Sequence, residues 1–318
     1  MRSFFALWSG PSNRQVSKYA YSLLGCVALA CSGAESADVP ELDTATADSE
    51  LIGGTEFTSA QAKSMGVIKI KDGCTATLVS RRHILTAAHC LPPPVFKIAQ
   101  VGKVTANTAW TTVTQSFSEG HPSWYVSCAL YGCRSDLTLI PPFPSDLLIV
   151  TLFADVPASF GLAKIPRMNV STNKDVWISG YGCEAGVNGP APNPYRLKAK
   201  MVKTLSASAV NTYREEMPSE LTADFGAVNI LTPGIAASAS AASLCPGDSG
   251  GPLLLSSDPN LGPPVPRNWV LGVNAYYVFK ENDTTGKSVR NIHARLWDNG
   301  PVQAWLESIL PASSFVNP

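Results

Sequence analysis

Short hydrophobic runs, separated by Gly, Pro, Asn and Asp, recur along most of the chain from about residue 67 onward. Some runs are continuously apolar and others alternate apolar with polar residues. Both patterns are typical of short β-strands, so the sequence predicts an all-β domain. The predicted strands include Val67–Ile70, Ala76–Val79, Val104–Ala106, Asp146–Leu152, Val176–Ser179, Pro252–Leu255, Trp269–Tyr276 and Asn291–Leu296.

A different pattern appears near the carboxyl end of the chain. Pro301 opens a segment in which apolar residues recur at helical spacing up to Leu310. Proline is well tolerated in the first turn of a helix, so we predict a C-terminal helix over about 301–310. Within it, Trp305 is interpreted as core packing.

The first fifty residues have the pattern of targeting and processing sequence. A basic stretch with Arg2, Arg14 and Lys18 precedes an apolar run of twelve residues, Tyr19–Ala30. That run is too short to span a bilayer, and small residues follow it, as in a bacterial-type signal peptide. We therefore predict a signal peptide over residues 1–31 and export to the periplasm, cell surface or exterior. Residues 32–50, rich in Ala, Ser, Thr and acids, are predicted to be a propeptide or linker.

Two cysteines at the end of this segment leave its processing open. Cys26, in Leu-Leu-Gly-Cys, matches a lipoprotein signal box. The apolar run that precedes Cys31 has a more plausible length for a signal peptide than the run that precedes Cys26. The alternative is an ordinary signal-peptidase cut near Ala30 or Ala34, without lipid. We expect membrane association only through such a lipid anchor.

Composition fits an exported globular protein. The 318 residues are 45% hydrophobic and 15% charged, with no formal net charge. A neutral chain of this kind offers no basic surface for nucleic acid. Six cysteines follow residue 50, an even number that predicts disulfides in an exported chain.

A glycine-rich turn places one serine where it could react. In Gly247–Pro252, the sequence Gly-Asp-Ser-Gly-Gly-Pro surrounds Ser249 with residues that allow close approach of a substrate. The N–H groups of Gly247 and Ser249 could converge on one oxyanion. Because a serine hydroxyl alone is a weak nucleophile, the turn predicts a base and an orienting acid elsewhere in the chain.

Candidates for both partners occur upstream. His89, in Leu85–Cys90, is one of only four histidines, and imidazole can take up and return a proton near neutral pH. Asp146 opens a buried apolar strand, where its carboxylate could orient that imidazole. Asp136 is a rival, but Pro141 and Pro142 interrupt the apolar run after it, so the pattern favours Asp146.

These segments, in the order His, Asp, Ser, resemble the trypsin/chymotrypsin-like serine peptidases from about Leu51 to about Leu310. The resemblance implies two six-stranded antiparallel β-barrels with the active site between them. It places barrel one at about 51–160 and barrel two at about 161–298 of a peptidase domain over 51–312. It also implies a secreted endopeptidase that cleaves polypeptides through a triad of His89, Asp146 and Ser249 and an acyl-enzyme.

The resemblance extends to activation. Leu51–Glu56 matches the mature N-terminus of the family, whose new ammonium group pairs with the acid that precedes the serine, here Asp248. A zymogen and an activating protease are therefore expected. Leu51 replaces the usual Ile or Val, and Glu50 replaces the usual Arg or Lys, so a trypsin-like activating cut is not expected. A glutamate-preferring protease, or cleavage after Leu51, are the alternatives.

The predicted substrate pocket departs from that of trypsins. Ser243 stands where trypsins carry an aspartate, so we do not expect cleavage after Arg or Lys. Ala275, Tyr276 and Tyr277 align with the pocket wall. Ala275 cannot hydrogen-bond Asp146, and Tyr277 in place of a glycine favours small substrate side chains.

The cysteines suggest three bridges. By resemblance, Cys74 and Cys90 form the family disulfide beneath the histidine. The family's usual partner for Cys245 lies downstream, where this sequence has no cysteine, so we expect a bridge to Cys183 that the family does not usually have and that would tie two active-site loops. Cys128 and Cys133 are close enough in sequence to clip a surface loop. Free thiols or another connectivity are the alternatives, because sequence alone does not determine pairing.

Other function classes find less support. A non-catalytic binding module on the same fold is the main alternative, since fold alone does not determine function. The sequence contains no His-Glu-x-x-His string and no Gly-rich loop followed by Lys-Ser/Thr, so we expect no metal and no cofactor. We expect a monomer.

Overall fold

The computed structural model describes residues 54–125, 145–170, 172–182, 195–206, 208–209, 228–234, 242–257, 265–278, 290–297 and 300–318. In chain order the strands are β1 Thr55–Glu56, β2 Val67–Ile70, β3 Thr75–Leu78, β4 His83–Thr86, β5 Val95–Ala99, β6 Thr111–Gly120, β7 Leu148–Leu152, β8 Ile165–Pro166, β9 Asp175–Gly180, β10 Lys198–Lys203, β11 Asn229–Pro233, β12 Pro252–Ser256, β13 Pro266–Val278, β14 Arg290–Arg295 and β15 Phe315–Val316. The helices are α1 Ser59–Ser64 and α2 Pro301–Ile309, and short 3₁₀ turns lie at Ala88–Cys90 and Ala312–Ser314.

Six strands in the first half of the chain form a closed antiparallel barrel in the order β2-β3-β4-β7-β6-β5. Alternate residues of β4 and β7 face different cores. Ile84, Leu148 and Val150 pack inside the barrel, whereas Leu85 and Ile149 pack between this barrel and the second sheet. Burial on both sides explains why β7 is apolar at every position except the partly exposed Thr151.

The second half forms a seven-stranded antiparallel sheet in the order β1-β10-β9-β12-β13-β14-β11. The N–H of Leu205, just after β10, donates to the carbonyl of Leu231 in β11 at 2.8 Å, so the sheet curls until its far strands meet. Six of these strands make the second barrel, and β1 is added at its edge. The all-β, two-barrel fold predicted from the sequence is therefore confirmed.

Two features of the strands differ from the sequence pattern. Within the described residues, strand β1 pairs with β10 in the second sheet, and the strands of the first barrel begin at Val67. The predicted strand Val104–Ala106 is absent. The N–H of Val104 donates instead to the carbonyl of Tyr195 at 2.7 Å, and the Thr105 N–H donates to the Thr108 side chain in a tight turn.

Helix α2 follows the predicted pattern, with Pro301 at its start and Val302, Trp305 and Leu306 buried on one face. That face packs in the core between the two barrels. The Trp305 Nε1 donates to Glu119 Oε1 at 3.0 Å, which joins the helix to strand β6.

Within the described parts of the chain, no helix is long and apolar enough to cross a membrane. The predicted signal peptide and propeptide lie outside the described residues.

Candidate active site

His89 and Asp146 are held together where the first barrel faces the second. His89 lies on the 3₁₀ turn Ala88–Cys90, just after β4, and Asp146 lies two residues before β7, the neighbour of β4. The Asp146 Oδ2 is 2.7 Å from His89 Nδ1. Because the carboxylate can only accept, Nδ1 carries the proton, and Nε2 of the neutral ring is left to act as a base.

The Asp146 carboxylate is itself fixed by the backbone. Its Oδ1 accepts from the N–H of Ala88 at 2.7 Å and from the N–H of His89 at 3.1 Å. Only 1% of the Asp146 side chain is exposed, against 37% of the His89 side chain. The acid is therefore shielded from solvent, while the imidazole is accessible to it.

The protonation of His89 reflects two opposed effects. Desolvation lowers its pKa, whereas the charge of Asp146 and the hydrogen bond that Nδ1 donates to that carboxylate raise it, and the net shift is upward from 6.5. A raised pKa makes the imidazole a better proton acceptor during attack by a neighbouring hydroxyl.

Ser249 lies on a turn that is hydrogen-bonded to Thr75 of the first barrel. The Thr75 N–H donates to the Ser249 carbonyl at 3.0 Å, and the Thr75 hydroxyl donates to the Gly247 carbonyl at 2.7 Å. Gly250 has φ of +80°, and a Cβ there would lie 2.0 Å from Thr86 Oγ1 and 3.2 Å from the Ala87 nitrogen. The serine turn therefore sits directly against the segment that leads to His89.

The N–H groups of Asp248, Gly250 and Gly251 in this turn donate to backbone carbonyls, whereas the Ser249 hydroxyl and two other N–H groups have no such partner in the described segments. Among the described residues, no hydrogen bond joins the Ser249 hydroxyl to His89, and the N–H groups of Gly247 and Ser249 have no acceptor. Catalytic hydrogen bonds are commonly longer without substrate and tighten when it binds. The two N–H groups are thus available to a ligand.

Asp248 points away from this face into the second sheet and is fully buried. Its carboxylate accepts from the N–H of Gly182 at 2.8 Å and from the N–H of Cys245 at 3.1 Å. Burial raises the pKa of Asp248 to about 7, although these bonds and the charges of Lys69 and Lys198 oppose the rise. Leu51, its expected partner, lies outside the described residues.

Lys69 is a buried cation near the same region that the sequence analysis did not single out. Only 1% of the residue is exposed, and its ammonium donates to the Gly73 carbonyl and lies 4.3 Å from the centre of the Tyr195 ring. Desolvation lowers its pKa to about 8, while Asp248 and Asp72 act in the opposite sense. Its position in the hydrophobic run of β2 marked it only as a strand residue.

The predicted pocket residues lie on neighbouring segments of the second barrel. Ser243 and Ala275 are buried, and Tyr276 and Tyr277 are partly buried. Ser243 precedes the serine turn, and the other three lie on β13, which pairs with β12 directly after that turn. The three donors to Asp146 come from Ala88 and His89, so none comes from Ala275.

The structure contains the Cys74–Cys90 disulfide that the resemblance implied. Cys245 is also disulfide-bonded, to a partner outside the described residues. Cys128, Cys133 and Cys183 lie outside as well. Within the described residues, the one cluster with metal-ligand atoms is Cys74, His89 and Cys90, and its two sulfurs are already joined to each other.

A histidine held by a buried carboxylate beside a glycine-rich serine turn, between two antiparallel barrels, defines the chymotrypsin-like class of two-barrel proteins. The Trypsin family model matches residues 51–292, most of the chain. The chain therefore belongs to the trypsin family.

Individual relatives are distant. Human serine protease 41 is 27% identical over 196 residues, and the match covers 58% of this chain but only 56% of that protein. The structure of neuropsin, a serine protease expressed in the limbic system of mouse brain, superposes with a TM-score of 0.54 at 17% identity. This superposition covers 80% of this chain and 97% of neuropsin, and it supports the fold alone.

Proposed function

We propose that the chain is a serine endopeptidase with Ser249 as nucleophile, His89 as general base and acid, and Asp146 as the orienting acid. The observation that carries the proposal is the 2.7 Å contact between His89 Nδ1 and the buried Asp146 carboxylate. Packing alone does not require the imidazole that donates to a buried carboxylate to be exposed to solvent. A general base does require it, because the carboxylate must orient the ring while the ring stays accessible to the nucleophile and substrate.

In the proposed reaction, Ser249 Oγ attacks the carbonyl carbon of the scissile peptide bond and transfers its proton to His89 Nε2. The carbonyl oxygen becomes an oxyanion that accepts from the N–H groups of Gly247 and Ser249. When the C–N bond breaks, the amine leaves with the proton from Nε2. Water then hydrolyses the acyl-enzyme by the same steps and regenerates the Ser249 hydroxyl.

The finer points of the proposal concern processing and specificity. We propose export by the signal peptide, synthesis as a zymogen, and activation by a cut near Leu51 whose new ammonium group pairs with Asp248. Buried Asp248, whose pKa is raised to about 7, is a site where an added cation would be strongly favoured. Ser243 and Tyr277 favour substrates with small side chains over Arg or Lys.

A fluorophosphonate probe tests the central claim on the exported, processed protein, whose N-terminus is determined by mass spectrometry. We expect one covalent adduct on Ser249 and peptide hydrolysis that Ser249→Ala reduces by about 10⁴- to 10⁶-fold. Equal labelling of wild type and Ser249→Ala would contradict the proposed function.

A further inference from the structure

Four polar side chains are completely buried behind the serine turn, in a part of the second barrel otherwise filled by aliphatic residues. They come from three neighbouring strands: Thr232 from β11, Asn274 from β13, and Asn291 and His293 from β14. Buried polar groups are costly unless they are hydrogen-bonded, and the proposed chemistry uses none of these four.

The bonds around Asn274 determine the direction of the first half of this network. Asn274 Nδ2 donates to the carbonyls of Ser179 at 2.9 Å and Asp248 at 3.2 Å. Its Oδ1 must then accept, so the proton on the neighbouring imidazole lies on His293 Nδ1, 2.9 Å away. His293 Nε2 is left as an acceptor, which the Thr232 hydroxyl satisfies at 3.0 Å.

The second half returns to the other end of the same turn. Asn291 Nδ2 donates to the Thr232 hydroxyl at 3.1 Å and to the Ala242 carbonyl at 2.6 Å. Asn291 Oδ1 accepts from the Leu244 N–H at 2.8 Å. The chain of bonds therefore begins at Asp248, next to Ser249, and ends at Ala242 and Leu244, on either side of Ser243.

We propose that Asn274, His293, Thr232 and Asn291 are positioning residues that hold both ends of the serine turn, residues 242–251, in its reactive shape. The inference rests on the proposed function, because the turn carries Ser249 and the Gly247 and Ser249 N–H groups. Each side chain in the path both donates and accepts, so all four must be present and neutral. Burial lowers the pKa of His293 to about 3, which keeps its ring neutral near neutral pH.

Aliphatic side chains of similar volume would fill the same space without any desolvation cost. A complete network has the different effect of specifying one arrangement of the backbone groups that it binds. The groups bound here are the Asp248 and Ala242 carbonyls and the Leu244 N–H, all within the turn.

The test compares Thr232→Val, which removes the central hydroxyl at nearly constant volume, with Thr232→Ser, which retains it. The control is Thr77→Val in β3, because Thr77 is equally buried and its hydroxyl has no hydrogen-bond partner in the described part of the chain. Each processed variant is studied well below its unfolding temperature. Fluorophosphonate labelling rates, kcat and KM for a peptide, and hydrogen–deuterium exchange of peptides covering residues 242–251 are measured.

We expect Thr232→Val to label about tenfold more slowly, with the loss in kcat rather than KM, and to exchange faster in residues 242–251. We expect Thr232→Ser to restore most of the labelling rate and most of the protection from exchange, and Thr77→Val to change neither quantity. Wild-type labelling and wild-type exchange in Thr232→Val would overturn the network and leave the proposed function standing. An unlabelled wild type, with faster exchange in Thr232→Val, would overturn the proposed function but support the network.

Discussion

At the scale of single residues, Asp146 shows how the backbone prepares a side chain for its role. Three donors, the N–H groups of Ala88 and His89 and the imidazole Nδ1, satisfy its two oxygens. All three come from one 3₁₀ turn, so fixing that turn fixes the acid and the base together. A hydroxyl at position 275 is therefore not required to orient the carboxylate.

The residue before Asp146 is strained, and this leads to a prediction about stability. Ser145 has φ of +70°, is completely buried, and its hydroxyl has no hydrogen-bond partner among the residues that the structure describes. Ser145→Gly should relieve about 1 kcal/mol of backbone strain and remove the desolvated hydroxyl, against an entropy cost of at most ~1 kcal/mol. We expect a net gain of about 1 kcal/mol in the free energy of unfolding, measured by urea denaturation with the disulfides intact.

Asp72→Gly is the matched control for Ser145→Gly. Asp72 also has positive φ, at +56°, but 82% of its side chain is exposed and aspartate tolerates this conformation. Its replacement should change stability by less than about 0.5 kcal/mol. A loss of stability in Ser145→Gly would show that the hydroxyl is needed and would contradict the interpretation.

At the scale of strands and helices, the sequence predicted elements best where both sides are buried. Strands β7 and β12 contain consecutive apolar residues, Leu148–Val150 and Pro252–Leu255, because alternate residues face two different cores. Val104–Ala106 has a similar short pattern, yet its backbone bonds go to Tyr195 and Thr108 rather than to a neighbouring strand. Strand β1 joins the second sheet by pairing with β10. This contact links distant parts of the chain, so it could not be predicted from the local sequence pattern.

The junction between the serine turn and the first barrel depends on one glycine. At Gly250 a Cβ would lie 2.0 Å from Thr86 Oγ1 and 2.3 Å from the Thr75 carbonyl, with φ at +80°. We expect Gly250→Ala to cost at least ~2 kcal/mol of stability and to slow fluorophosphonate labelling by about 100-fold, because the turn must shift. Thermal unfolding and labelling kinetics measure the two effects.

Gly73→Ala, between β2 and β3, provides the comparison. The nearest atom to a Cβ at Gly73 is 3.6 Å away, an ordinary contact, so both measurements should stay close to wild type. If Gly250→Ala labels as fast as Gly73→Ala, the close packing of the turn against Thr75 and Thr86 is not needed for reactivity.

At the scale of the whole molecule, the predictable part of the site is the part encoded in contiguous motifs. His89, Asp146 and Ser249 each stand in a recognisable local string, so their roles could be proposed before their positions were known. Lys69, Asn274 and His293 could not be singled out, because their environment is made by residues far away in sequence.

Two buried groups, Asp248 and His293, make the stability of the protein respond to pH in opposite directions. Burial raises the pKa of Asp248 from 3.8 to about 7, so between these values the unfolded chain loses a proton that the folded chain keeps. Stability therefore falls as pH rises through this window, by about 1.4 kcal/mol per pH unit. Burial lowers the pKa of His293 from 6.5 to about 3, so its contribution falls by a similar amount per unit as pH drops.

Between about pH 3.8 and 6.5 the two contributions cancel in wild type, and single substitutions should expose each of them. Relative to wild type, Asp248→Asn should gain stability as pH rises, because only the His293 contribution remains. His293→Phe should lose stability as pH rises over the same window. Urea unfolding of the unprocessed chain at half-unit pH intervals gives the free energy of unfolding of each variant and of wild type. Subtracting the wild-type value at each pH cancels the contributions of the groups that titrate in all three proteins. Parallel curves for wild type and either variant would mean that the substituted group titrates alike in the folded and unfolded chain.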